Sequence, residues 1–316
     1  MLVNKKILVS FLFLLIISNF ACSSDDKSVV ITEEDPLIES SLSLNIATYN
    51  IRMLTNVDQG KKAWKSRLIN LKDIIQKYDF DIFGTQEGFK SQLEDILQLE
   101  EYAYVGVGRD DGVGKGEHSA IFYKSERFKI DDQGDFWLSE TPNIPSIGWD
   151  SSLNKRICSW AKFIEIKTGK VFYVFNAHYD HKGKIARYQS SKLVLSKIHQ
   201  IVGDNNTPVI FMGDLNAEST ENTIKILSDS KYLWDSKMST SKPAIGTEGT
   251  YHGWNLDGKT TSRIDYIFVS KTIKVNEYIV INDDIEKGDF SSDHFPVLIK
   301  VSFFDNKLHY KDDKNK

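Results

Sequence analysis

Cysteine is nearly missing from this chain, with Cys22 and Cys158 the two in 316 residues. That excludes a disulfide framework and leaves no thiolate set for a structural zinc. A basic excess is missing too, since 40 Lys and Arg stand against 44 Asp and Glu, a formal charge of -4. A binder of long polyanions normally carries a basic footprint, so nucleic acid is disfavoured as a partner. A small phosphorylated substrate in a locally basic cleft stays compatible with the charge. No apolar run is long enough to cross a bilayer comfortably, because the longest covers Ile7 to Ile17. A phosphate-cradling P-loop is also absent: Gly106-Val107-Gly108-Arg109-Asp110-Asp111-Gly112 is glycine-rich but lacks the Gly-Lys-Ser/Thr ending.

What is present is apolar and aromatic, 41% and 12% of the residues, enough to build one large core. Lys5 and Lys6 precede the Ile7 to Ile17 run, and Ala21 precedes Cys22. This order of charge, apolar stretch and small residue predicts a signal peptide over residues 1–21. The Ala21-Cys22 step resembles a bacterial lipoprotein processing site. The resemblance implies lipidation of Cys22 and a membrane partner reached through that anchor. Cys22-Ser23-Ser24-Asp25-Asp26 is similar to the acidic sorting stretch of surface lipoproteins in Bacteroidetes. The expected location is the outer membrane, cell surface or periplasm of a Gram-negative bacterium. Loss of Lys5 and Lys6 leaves 38 basic against 44 acidic residues, a formal charge of -6. Residues 22–41 are polar and acidic and read as a tether, 42–303 as one domain, and 304–316 as a charged tail. Cys158 reads as core packing, and the protein as a monomer.

Within 42–303 the pattern is strand, helix, strand, and then the same again. A strand ends at Asn50, Trp64, Leu68, Leu71, Ile75 and Tyr78 recur at helical spacing, and a buried strand runs from Asp81 to Gln86-Glu87. Later, Val171 to Ala177 is a strand ending at His178. Ile185 to Val202 is a helix, and Val209 to Met212 is a strand ending at Gly213-Asp214. Tyr104–Gly108, Ala120–Lys124 and Ile157–Ile166 read as strands between the halves. A helix near Asn222–Leu227 follows, then strands at Ile264–Val269, Val275–Ile281 and Val297–Phe303. The fold class is α/β, two packed sheets covered outside by helices. Asn50, Glu87, His178 and Asp214 follow the carboxyl ends of strands, whereas Asp265 and Asp293 precede theirs. If the last strands run antiparallel to the first four, all six meet at one rim.

Glu87 and Asp293 offer carboxylate oxygens and Asn50 an amide oxygen, the donors that Mg2+ or Mn2+ prefers. Taken alone, Glu87 is an ordinary acid after a strand. Asp214 and Asn216 can hold and orient a water nucleophile, although Asx residues also serve turns. His178 and His294 can each donate to a phosphoryl oxygen, more strongly when protonated. Asp265 can orient His294 through its second ring nitrogen, or belong to an ordinary ion pair in Arg263-Ile264-Asp265-Tyr266.

In order along the chain, the motifs are Thr48-Tyr49-Asn50-Ile51-Arg52, Gln86-Glu87, Asn176-Ala177-His178 and Gly213-Asp214-Leu215-Asn216. Arg263-Ile264-Asp265-Tyr266-Ile267 and Ser292-Asp293-His294-Phe295-Pro296-Val297 complete them. Together they resemble the endonuclease/exonuclease/phosphatase superfamily over residues 42–303. The resemblance implies a four-layer α/β sandwich and a metal-dependent phosphoesterase. It implies a magnesium site at Asn50, Glu87 and Asp293, water positioning by Asp214 and Asn216, and a proton relay of Asp265 with His294. It also implies a phosphate-contacting His178, where apurinic endonucleases carry tyrosine.

Substrate choice rests on loops: Arg109, Lys182, Arg187 and Trp254 are the candidate contacts, each with a solvated or packed alternative. Three readings follow. The first is hydrolysis of a small phosphorylated molecule, such as a sugar phosphate, inositol phosphate or phospholipid headgroup. The second is a secreted or surface nuclease. The third is a binding lipoprotein without turnover.

Overall fold

The computed structural model describes residues 42–303 except 205, 241 and 258. The expected signal peptide, Cys22 anchor, tether and tail lie outside the described residues. Twelve strands are present among the described residues. They are β1 (Ser43–Asn50), β2 (Ile82–Gln86), β3 (Tyr102–Val105), β4 (Ile121–Lys124), β5 (Phe128–Trp137), β6 (Ile157–Glu165), β7 (Val171–His178), β8 (Val209–Asp214), β9 (Leu233–Asp235), β10 (Asp265–Ser270), β11 (Ile273–Val280) and β12 (Val297–Phe303). The α-helices are α1 (Trp64–Lys77), α2 (Lys90–Ile96), α3 (Lys184–Val202), α4 (Asn222–Ser228), α5 (Ser236–Ser239) and α6 (Asp283–Lys287).

Parallel strands need a crossover, and each half of the chain supplies one. β1 and β2 pair in parallel across α1, and β7 and β8 pair in parallel across α3. Each pair seeds a six-stranded mixed sheet, in the orders β11-β12-β1-β2-β4-β3 and β5-β6-β7-β8-β10-β9. Three cores result. Ile46, Ile82, Val174, Ile210 and Ile267 pack between the sheets. Phe83, Leu71 and Ile75 seal the first sheet under α1 and α2, and Phe211, Val194 and Ile198 seal the second under α3 and α4. Helix, sheet, sheet, helix is the four-layer sandwich the motifs implied.

The direction condition is met. β12 runs antiparallel to β1 and β10 antiparallel to β8, with Asp265 paired to Asp214 in register. Strand ends and strand beginnings therefore share one edge of the molecule.

Beneath that edge the two sheets are stapled by polar side chains. Asn176 of β7 donates from Nδ2 to the carbonyls of Thr85 and Ala120, at 2.9 and 2.8 Å, and accepts from Gln86 Nε2 at 2.7 Å. Gly84 makes the passage possible, since a Cβ there would lie 2.6 Å from Asn176 Cγ. Gln86 and Asn176 are thus scaffold, although their motifs also carry Glu87 and His178.

Some elements differ from expectation. β3 stops at Val105 because the glycines after it turn the chain, and Gly106 adopts φ 117°. β5 was absent from the sequence reading, for Lys129, Asp131, Asp132 and Gln133 expose its middle and hide its alternation. α2, α5, α6 and β9 were also missed, each seven residues or fewer.

Candidate active site

Asp214 sits where β8 passes closest to β7. Gly213, at φ 148°, allows the approach: a Cβ there would lie 1.9 Å from the Ala177 carbonyl oxygen. The Asp214 carboxylate is a hub. Its Oδ2 accepts from Asn50 Nδ2 at 2.9 Å and lies 3.5 Å from His178 Nε2 and 3.8 Å from His294 Nε2. Its Oδ1 accepts the Asn216 backbone N–H at 3.0 Å, which holds Asn216 in left-handed backbone at φ 48°. The Asn216 side chain is then within 3.1 Å of His178 Nε2 and donates to the Tyr179 carbonyl at 3.0 Å.

His294 lies against Asp265, with Nδ1 2.9 Å from Oδ2. Thr250 fixes that carboxylate from the other side by donating to the same Oδ2 at 2.6 Å. Burial alone would lower the His294 imidazolium, but Asp265, then Asp214 and Asp293, outweigh it and hold it charged. Burial, then Asp265, push the Asp214 carboxyl up to about 7 against the pull of His294 and Asn50. A carboxylate raised toward neutrality beside an imidazolium is a competent proton acceptor with a proton donor at hand.

Arg263 makes its own paired contacts to Asp235, at 2.8 and 2.6 Å, and stacks on Tyr266 at 4.3 Å, leaving Asp265 to His294.

Glu87 also sits in left-handed backbone, φ 66°. It accepts from Asn50 Nδ2 at 3.1 Å and from the Met53 N–H at 3.1 Å. Burial would raise its carboxyl, yet His294, Asn50, Met53 and Arg52 together hold it low. Donor atoms of Glu87, His178 and Asp214 lie within 4.8 Å of one another, as do those of Asp214, Asp265 and His294. Asp293 is buried nearby, 4.0 Å from Arg52 Nη1. Oxygen-rich and cysteine-free, with Glu87 half-buried, this donor set fits a hard divalent cation.

Two details of the arrangement bear on Asn50 and His178. Asn50 turns its amide nitrogen toward Glu87 and Asp214, while its oxygen accepts the Arg52 N–H at 3.0 Å. In this arrangement the amide nitrogen braces both carboxylates. Burial, then Arg156 and Arg109, push the His178 imidazole well below its ordinary value. Two imidazoles flank Asp214, shifted in opposite directions.

Residues 47–294 match the profile of the Endonuclease/Exonuclease/phosphatase family. The chain belongs to this family. Two solved structures from Bacteroides thetaiotaomicron are 41% identical, with TM-score 0.78. One is an endonuclease/exonuclease/phosphatase family protein, covering 84% of this chain and 99% of that one. The other is a mannosyl-6-phosphatase, covering 82% of this chain and all of that one. A family protein from Bacteroides vulgatus is 31% identical with TM-score 0.77, covering 83% of this chain and all of that one. Family membership makes this protein a metal-dependent hydrolase of phosphoric esters.

The loop residues divide within the family fold. Arg109 is buried and donates to Glu117 Oε2 at 2.6 Å, beside His178. Lys182 is exposed on the turn after β7. Arg187 is spent on the fold: it is buried in α3, donating to the Asp180 carbonyl and to Glu221. Trp254 is a half-buried wedge, edge-on to Phe290 at 5.2 Å with Lys62 and Arg67 over its ring. The aromatic that faces the site is Tyr251, 40% exposed with its ring 4.9 Å from that of His294.

Glu117 was missed. Its Oε2 is 3.7 Å from His178 Nδ1, and burial and Glu87 push its carboxyl up to about 7 against Arg109 and Arg156. It lies inside the glycine-rich loop, away from any strand edge, so edge position could not reveal it. The Gly-Lys-Gly-Glu-His run from Gly114 to His118 was the available signal.

Proposed function

We propose that this protein hydrolyses a small phosphorylated sugar by direct water attack, with Mg2+ as its ion. The observation that carries the reading is the position of Asp214 between His178 and His294, 3.5 Å from one and 3.8 Å from the other. Asp214 takes the proton of the attacking water, and Asn216 and Asn50 fix that carboxylate and its surroundings. His294, locked by Asp265, presents its proton from Nε2 toward charge developing on phosphorus-bound oxygen. Glu87 and Asp293 would hold the ion, which when bound polarises a phosphoryl oxygen and neutralises charge. Supporting a sugar phosphate is the 41% identity to a mannosyl-6-phosphatase over nearly the whole folded region. The acidic composition supports the same choice over a nuclease.

The leader-like residues 1–21 and Cys22 support export and a lipid anchor, and hence a place at the outer membrane, cell surface or periplasm. The test of substrate is phosphate release from hexose phosphates, inositol phosphates, phospholipid headgroups and single-stranded nucleic acid with Mg2+ or Mn2+. Hexose phosphates are expected to give the highest kcat/KM. A nucleic acid substrate cleaved faster would replace this reading with that of a nuclease.

A further inference from the structure

Arg52 follows β1 in left-handed backbone, φ 55°, a conformation side chains disfavour. Its N–H donates to Asn50 Oδ1 at 3.0 Å, and its carbonyl accepts from Arg67 Nη2 at 3.1 Å and Gln92 Nε2 at 3.0 Å. Arg67 and Gln92 are fully buried, so the strained turn is held on three sides. The side chain is held as well. Nε donates to Asp58 Oδ2 at 3.1 Å, and the Asp58 side chain is only 6% exposed.

This arrangement aims the far end of the guanidinium at the site. Nη1 lies 4.0 Å from Asp293 Oδ2, and the side chain stays 27% exposed. Among the described residues no hydrogen-bond acceptor sits on Nη1 or Nη2. Three other arginines near the site are engaged elsewhere: Arg67 holds four carbonyls, Arg109 is bonded to Glu117 and Arg187 to Glu221. Arg156 is buried on the His178 side and spares little surface for a ligand, whereas Arg52 stays 27% exposed. A fixed guanidinium with open terminal donors matches the paired oxygens of a phosphoryl group.

Its charge bears on which ester fits. A phosphomonoester carries close to two negative charges at neutral pH, a diester one. The surrounding wall is acidic, with Glu87, Asp293 and Asp58 facing Arg52. Two of these carboxylates, Glu87 and Asp293, are offset by the ion they would hold. The fixed charge of Arg52 therefore adds to the pull on the substrate, and that pull is greater on a dianion than on a monoanion. We propose that Arg52 clamps the phosphoryl group and selects phosphomonoester dianions over diesters, a proposal that rests on the phosphoesterase reading above.

The full chain is assayed with Mg2+ on para-nitrophenyl phosphate and bis(para-nitrophenyl) phosphate, which share a leaving group. Wild type is expected to prefer the monoester. Arg52→Gln should lower monoester kcat/KM by about 100-fold and the monoester-to-diester ratio by about 10-fold or more. Arg52→Lys should recover part of the ratio, and Asp58→Asn, which leaves Arg52 in place but unclamped, should lower it. Inhibition by inorganic phosphate should weaken in Arg52→Gln, with melting temperatures recorded for every variant. Equal losses on both esters in all three variants, with phosphate inhibition intact, overturn the role of Arg52 and leave the phosphoesterase reading standing. A wild type that cleaves neither of these esters nor any hexose phosphate overturns that reading and the proposal with it.

Discussion

Asp265 accepts from Thr250 and binds the Nδ1 side of His294 on the same oxygen, so it fixes both the ring orientation and the tautomer. Asp265→Asn should lower kcat by about 10^3-fold or more with little change in melting temperature, because the amide keeps the shape and loses the charge. A kcat within threefold of wild type would remove Asp265 from the relay. His294→Ala and Asp214→Asn should each abolish measurable turnover. At this scale the reactive residues were legible because Asp and His beside strand ends are poor scaffold and good chemistry. Asn50 shows the limit: the residue could be found in sequence, but which end of its amide faces Glu87 is decided by the Arg52 N–H across the turn. Glu117 shows another, since only folding brings its glycine-rich loop against β7.

Elements carry the site by holding it between two sheets. Gly84→Ala would force a Cβ into the Asn176 side chain and loosen the staple, costing about 1–3 kcal/mol. Calorimetry should show a melting temperature lowered by several degrees, and an unchanged value would mean that the staple yields without cost. The turn after β7 makes a pH-dependent contribution. Asp180 accepts from Ser151 Oγ, Ser152 Oγ and N–H, and the Lys182 and Gly183 N–H groups. Burial would raise its carboxyl, but these donors outweigh burial and hold it well below the ordinary value. A depressed folded pKa stabilises above the unfolded value, about 4, and the gain fades as pH falls toward the folded one. Asp180→Asn should therefore melt below wild type at pH 7, with the gap narrowing from pH 5 to pH 2; a gap that widens in acid would contradict the sign. The long crossover helices and buried strands were legible from period and burial. β5 and the short helices were not, because their polarity reflects an exposed sheet edge and tertiary packing instead of a period.

For the whole molecule, antiparallel return of β10 and β12 turns six separate sequence motifs into one rim, a geometry the sequence stated as a condition and pairing fulfilled. The balance of charge belongs to this scale as well. Binding to single-stranded DNA or RNA should be weak and nearly flat with salt, and a steep fall of affinity with salt would argue for a polyanion substrate. Metal dependence tests the account most directly. Phosphate release from a hexose phosphate by the full chain should proceed in Mg2+, vanish in EDTA and return when Mg2+ is restored. Release that persists in EDTA would contradict the phosphoesterase site built around Glu87, Asp214 and Asp293.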